Sequence, residues 1–196
     1  MKESCKVKNE IDEVTIGKQV WMIENLSMDK FRNGDPIPQA TSSREWIKAN
    51  QNNEPIWCYY DNDPLNGNKY GKLYNWYAVN DSRGLAPKGW HVPSDDEWKT
   101  LEEYLGVSET GKKMKTTRGW DKGGNGLNES NFSGLPGGLR TTESSFKRIG
   151  KYGNWWSSSE EGTELANYRY LHCLSGTLKS NLGHKIEGLS VRCLRD

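Results

Sequence analysis

Apolar and polar residues change rhythm several times along this chain, and each rhythm predicts a different element. From Val14 to Leu26, β-branched and apolar residues alternate with polar ones on both sides of Gly17-Lys18. This predicts two short strands joined by a turn that uses glycine's access to positive φ. Asp29 to Asn53 is polar and carries Pro36 and Pro38, which reads as loop with a short helix around Ser43 to Ala49. Leu73, Trp76, Tyr77 and Asn80 then fall three to four residues apart, predicting a first helix within Tyr70 to Val79. A second helix is spelled out more fully. Ser94 stands as N-cap, Glu97 completes a capping box, and Trp98, Leu101 and Leu105 line one face before Gly106 stops the helix. That places a helix over residues 95–105. Ser108 to Gly138 holds too many glycines for continuous regular structure, and Leu135 to Arg140 reads as a strand broken at a glycine bulge. Phe146–Ile149, Asn154–Ser158, Ala166–Leu174 and Leu189–Leu194 are short candidate strands, giving a small antiparallel sheet with long loops.

Composition narrows the picture. The chain has 196 residues, only 33% of them hydrophobic, with 9 Trp and 9 Tyr. One domain is expected, its core built from a few large aromatic side chains rather than many aliphatics. Lys plus Arg number 27 against 26 Asp plus Glu, with the signs interspersed. Nucleic acid is therefore an unexpected partner, because its binding needs clustered basic residues. No apolar run is long enough to cross a bilayer. Met1 to Cys5 lacks the apolar region of a signal peptide; an exported protein without its export signal is the preferred reading over a cytosolic one. Cys5 reads either as the remnant of a lipid-anchored cysteine or as a free thiol in a terminus.

The residues that carry chemistry are sparse. Cys5, Cys58, Cys173 and Cys193 show no metal-binding spacing, so a disulfide is the better use for them. His91, His172 and His184 are the only histidines. His91 is expected to bond neighbouring backbone, and His172 to point away from Cys173 if both lie on one strand. Asp61, Asp63 and Asn66 space oxygen ligands as a calcium loop does, but without the closing bidentate acid, so a structural turn is favoured over a calcium site. No other cofactor is suggested. The remaining cluster is Asn154, Trp155 and Trp156 with Arg140, Arg169 and Tyr170. Adjacent Trp155 and Trp156 on a strand face opposite ways, so one of them is a candidate stacking platform for a ligand, with Arg140 and Arg169 adding hydrogen bonds. Burial of both indoles in the core is the competing reading.

Ile16-Gly-Lys-Gln-Val-Trp-Met, Glu24-Asn-Leu, Trp57-Cys-Tyr-Tyr-Asp-Asn-Asp, Tyr70-Gly-Lys-Leu-Tyr-Asn-Trp-Tyr, Gly89-Trp-His-Val-Pro-Ser, Leu135-Pro-Gly-Gly-Leu-Arg and Ser190-Val-Arg-Cys-Leu-Arg-Asp, in this order, resemble the Fibrobacter succinogenes major paralogous domain of Bacteroidetes and Fibrobacteres surface proteins. The resemblance covers residues 14–196 and leaves 1–13 as an N-terminal extension. It implies an α+β, C-type lectin-like fold: two helices flanking a small twisted antiparallel sheet, termini close together, and long irregular loops that hold the ligand contacts. It further implies a bridge tying the last strand to the body, with Cys193 to Cys58 as first choice and Cys193 to Cys173 as second. Ala86 stands where many relatives place a cysteine. The related formylglycine-generating enzymes use a closely spaced cysteine pair, whereas Cys173 and Cys193 lie twenty residues apart. The expectation is thus a non-enzymatic, secreted or cell-surface-anchored, monomeric domain that binds a glycan or a surface protein. A degenerate enzyme of that type and a structural module of the cell envelope are the alternatives.

Overall fold

The structure is a computed structural model and describes residues 11–196. Cys5 and residues 1–10 of the expected extension lie outside it. The opening alternation forms the hairpin it predicts. Strand β1 (Glu13–Ile16) pairs antiparallel with β2 (Gln19–Met22), and Gly17 takes φ +63° in the turn between them. Helix α1 (Ser43–Gln51) begins at a capping box, Ser42 with Glu45, and buries Trp46 and Ala49.

The stretch Tyr70 to Val79 departs from the helix its spacing predicts. Helix α2 (Pro64–Tyr70) ends at Gly71, whose φ of +75° and ψ of −159° stop it. Strand β4 (Leu73–Tyr74) then pairs with β3 (Trp57–Cys58), and Asn75 caps a new four-residue helix, α3 (Trp76–Val79). The aromatic stripe is real. It is buried by a strand and a turn of helix in succession because Asn75 accepts the Ala78 N–H and restarts the helix there.

Strand β5 (Trp90–His91) leads into helix α4 (Asp95–Leu105), which has the predicted span, the Ser94–Glu97 box and Gly106 at its end. It buries Trp98, Leu101 and Leu105. A short α5 (Thr110–Met114) follows. The described residues thus hold five α-helices, where two flanking helices were expected; only α1 and α4 reach nine residues. Residues 115–136 run irregularly, tied back to α5 by Leu127 N–H to Lys112 O, Ser130 N–H to Lys113 O and Gly134 N–H to Met114 O.

The second half is strand-rich, as the pattern implies. Strands β6 (Gly137–Arg140), β7 (Phe146–Ile149), β8 (Tyr152–Glu161), β9 (Leu165–His172) and β10 (Lys179–His184) form one sheet in the order β10-β9-β8-β6-β7. β6 and β8 pair in parallel, a departure from the antiparallel sheet expected, because β7 takes the outer edge between them in sequence; the other pairs are antiparallel. The composition of β10, Lys-Ser-Asn-Leu-Gly-His, has no apolar alternation, so the sequence does not announce it; pairing with β9 makes it a strand.

The end of the chain joins the sheets. Gly188 bridges Arg140 of the large sheet, Leu189 bridges Tyr74 of the β3–β4 pair, and Ser190 bridges Trp155. Strand β11 (Leu194–Arg195) then inserts between β2 and β5, giving a four-stranded sheet β1-β2-β11-β5. Arg195 reaches Glu13 at 2.8 Å, so the first and last described strands lie in one sheet.

All 9 Trp are buried. They fall into three clusters: one around Trp57, Trp76, Trp90 and Trp156, one around Trp21, Trp98, Trp120 and Trp155, and one around Trp46. Six cations are buried with them: Lys72, Lys115, Arg140, Arg169, Lys185 and Arg192. Five lie over aromatic faces, as Lys72 does over Trp57 at 3.8 Å and Arg192 over Phe132 at 4.4 Å. No helix among the described residues is long and apolar enough to cross a membrane.

Candidate functional site

The two indoles proposed as a platform do face opposite ways, yet neither reaches solvent. Trp155 and Trp156 are both 0% exposed. The middle of β8 is covered on both faces: Trp155 enters the cluster with Trp98 and Phe132, and Trp156 the cluster with Tyr74 and Val191. Their N–H groups are satisfied inside, by Asn25 Oδ1 and by the Tyr74 carbonyl, each at 2.8 Å. Their role is core.

The two arginines are also interior. Arg140 donates to Ser144 Oγ and the Ser42 carbonyl and stacks between Trp46 and Phe146. Arg169 forks onto Asp95 and Glu102, fastening β9 to α4. Arg169 and Tyr170 are neighbours on a strand and so lie on opposite faces; that alternation could have separated them in the sequence. Asn154 is buried and donates to the Gly138 carbonyl at 3.0 Å, while its Oδ1 has no hydrogen-bond partner.

The cysteine pairing is corrected. Cys58, Cys173 and Cys193 are free and buried, each in a different one of the three clusters, so Cys193 bridges neither Cys58 nor Cys173. Burial pushes the Cys58 thiol up to about 11, against the pull of Arg140, and the Cys193 thiol up to about 12. Both are protonated and inert at neutral pH. Cys173 follows the end of β9, where strand alternation lapses, and its Sγ lies 3.8 Å from His172 Nε2, contrary to the expected divergence.

Asp63, one of the calcium candidates, caps α2 by accepting from Leu65 N–H, with Pro64 as its first residue. Asn66 donates to the Tyr60 carbonyl, and Asp61 turns the chain at φ +54°. These are the roles of a structural turn. No group of three or more His, Cys, Asp or Glu side chains gathers as a metal site among the described residues. His91 bonds side chains instead of backbone: its Nδ1 lies 2.8 Å from Asp196 and its Nε2 2.9 Å from Glu97.

What remains of the predicted cluster is Tyr170, and around it the structure assembles a surface that the sequence reading passed over. Register places Tyr152 opposite His172, Asn154 opposite Tyr170, and Trp156 opposite Tyr168 on one face of the β8–β9 pair; Lys179 and Asn181 of β10 oppose Tyr170 and Tyr168 on that face. The rings form a continuous strip. Tyr152 lies 4.4 Å from His172 and 5.8 Å from Tyr170, and Tyr170 lies 5.9 Å from Tyr168. Tyr152, Tyr170 and His172 are half-buried. From Tyr168 to His172 the strip runs about 13 Å along β9 at strand spacing. Asn181 Nδ2 donates to Tyr168 Oη at 3.2 Å. Gly183, lacking a Cβ, leaves room for Glu187, whose carboxylate oxygen would stand 2.9 Å from one. Burial raises the Glu187 pKa.

Exposed Arg148 has φ +71°, a left-handed conformation that β-strand residues rarely adopt, and its guanidinium lies 4.8 Å from the Tyr152 ring centre. Its charge is felt by His172, Tyr168 and Glu187, so it overhangs the strip. The His172 pKa is lowered, first by burial and then by Lys115, Lys122 and Arg148. The signal for this face was present in Tyr168-Arg-Tyr170-Leu-His172, whose aromatic rings recur at every second residue.

An α+β domain with an aromatic core that holds buried cations, and with one ring-lined face left open, is what these elements define. The chain belongs to the Fibrobacter succinogenes major domain family, whose model matches residues 14–195. No curated protein and no solved structure matches it.

Proposed function

We propose that this is a non-enzymatic recognition domain of C-type lectin-like fold, carried on an exported or surface-anchored protein, and that a glycan lies on the strip formed by Tyr152, Tyr170 and His172. The fold reading is supported by the adjacency of β1–β2 and β11 and by the long irregular segment before β6. The binding reading rests chiefly on the strip itself. Half-buried tyrosine rings give rigid apolar area with polar edges, which suits the apolar face and hydroxyl rim of a sugar. The alternative of a formylglycine-generating type of enzyme loses support, since the three described thiols sit in separate clusters.

The test is a glycan array probed with and without chelator, comparing the wild-type chain with Tyr152→Ala. Binding that is insensitive to chelator and lost in the variant, with Tm within a few degrees, is expected. Binding that survives the substitution removes the strip as the site.

A further inference from the structure

The charges around the strip are placed unevenly, and that asymmetry bears on the class of ligand. We infer that the Tyr152–His172 end of the strip holds a carboxylate, so that the glycan recognised is an acidic, uronate-bearing one. This rests on the reading of the strip as a glycan site.

Arg148 carries the argument. Its guanidinium is exposed, is steered by a positive φ, and rests over the Tyr152 ring with no ion-pair partner among the described residues. A left-handed backbone at a residue with a long side chain is unfavourable unless the surroundings enforce it, and such positions gather at ligand sites. Stacking against tyrosine leaves the edge of the guanidinium free, and that edge presents parallel N–H donors matched to a planar carboxylate. Exposed Lys122 and Lys179 stand on either side: Lys122 is near enough to lower the His172 pKa, and Lys179 shares the face of Tyr170. Neither has an ion-pair partner among the described residues. The acidic groups nearby are Asp121, packed against the Gly150 backbone, with Glu187 and Glu143 toward the Tyr168 end. A polymer lying along the strip would therefore meet Arg148, Lys122 and Lys179 against the single carboxylate of Asp121 toward one end, and the partly buried Glu187 toward the other.

The experiment titrates the full chain with hexagalacturonate, with the same hexamer fully methyl-esterified, and with a sulfated oligosaccharide of equal length. The ester keeps the sugar rings and removes the charge. Tighter binding of the free acid than of the ester by tenfold or more at low salt is expected, with the gap narrowing as salt rises. Arg148→Gln should remove most of that gap by weakening the free acid far more than the ester, whereas Tyr152→Ala should weaken both to a similar extent and leave the gap in place. Equal affinity for acid and ester overturns the carboxylate inference while leaving the glycan reading intact, and so does preference for the sulfated oligosaccharide. Failure of the three probes together with a blank glycan array overturns both.

Discussion

Single residues show how this chain manages with few aliphatics: indoles form the interior and cations lie against them. Trp155 touches Trp98 and Phe132 and donates to Asn25 Oδ1, so Trp155→Ala leaves a large cavity and removes one of the donors to that oxygen, which Arg192 still reaches. The expected loss is about 3–5 kcal/mol in urea denaturation, enough to lower Tm by roughly ten degrees in a domain of this size. A shift of two degrees or less would mean the indole is outside the core. Arg192 is a sharper case. It is fully buried, spreads donors over Asn25 Oδ1 and the carbonyls of Met22 and Phe132, and burial lowers its pKa to about 9. Lysine cannot reproduce that fork, so Arg192→Lys should destabilise by about 2 kcal/mol; equal stability would show the geometry to be dispensable. At this scale the sequence names the right segment for the wrong reason. Trp155 and Trp156 look like a platform because strand alternation says one must turn outward, but alternation does not say whether both sides of a strand are covered.

Among the elements, α4 was the most legible, because its start and stop are written in local chemistry: Ser94 and Glu97 at one end, Gly106 at the other. The partner of that cap was not legible, since it comes from the far end of the chain. Glu97 accepts from Ser94 N–H and also holds His91, whose other nitrogen meets Asp196. A ring bonded to two ionised carboxylates must donate from both nitrogens, which is the imidazolium form. Burial lowers the His91 pKa, but the bonds to Asp196 and Glu97 outweigh it and the net shift is upward from 6.5. Because the folded value is the higher one, the stabilisation is complete below 6.5 and is lost as pH rises through the folded pKa. Glu97 moves the other way, downward from 4.5, so its contribution fades as the solution is acidified through its folded pKa. The clamp is therefore strongest between about 4.5 and 6.5. Removing it with His91→Gln should flatten the fall in Tm from pH 6 to pH 8; an unaltered profile would assign that fall to other groups. By contrast, the region from Tyr70 to Val79 shows where spacing misleads: a cap inside an apolar stripe converts one helix into strand and helix.

For the molecule as a whole, the run from Gly188 to Arg195 matters most, because it pairs in turn with each of the three sheets. No covalent tie supplements it among the described thiols, and the disulfide implied by resemblance is replaced by three separate buried cysteines. Reductant should accordingly leave Tm unchanged, and Cys58, Cys173 and Cys193 should be alkylated only after unfolding; a drop of several degrees on reduction would restore the bridge. The α+β class and most strand positions could be read from periodicity and turn residues, but the strand expected over Leu189–Leu194 is instead a set of single bridges at Gly188, Leu189 and Ser190 followed by the two-residue β11, because that run passes between sheets rather than along one. The ring strip could not be read, because it depends on the register between β8, β9 and β10, and β10 has no pattern of its own. That strip is the ligand site we propose. Amide chemical-shift mapping of the labelled domain with the tightest glycan from the array tests it directly. Perturbations centred on Tyr152, residues 168–172 and residues 179–181 are expected. Perturbations centred instead on the cleft of about 400 Å³ bordered by Asn25, Lys69 and Ser133 would contradict it.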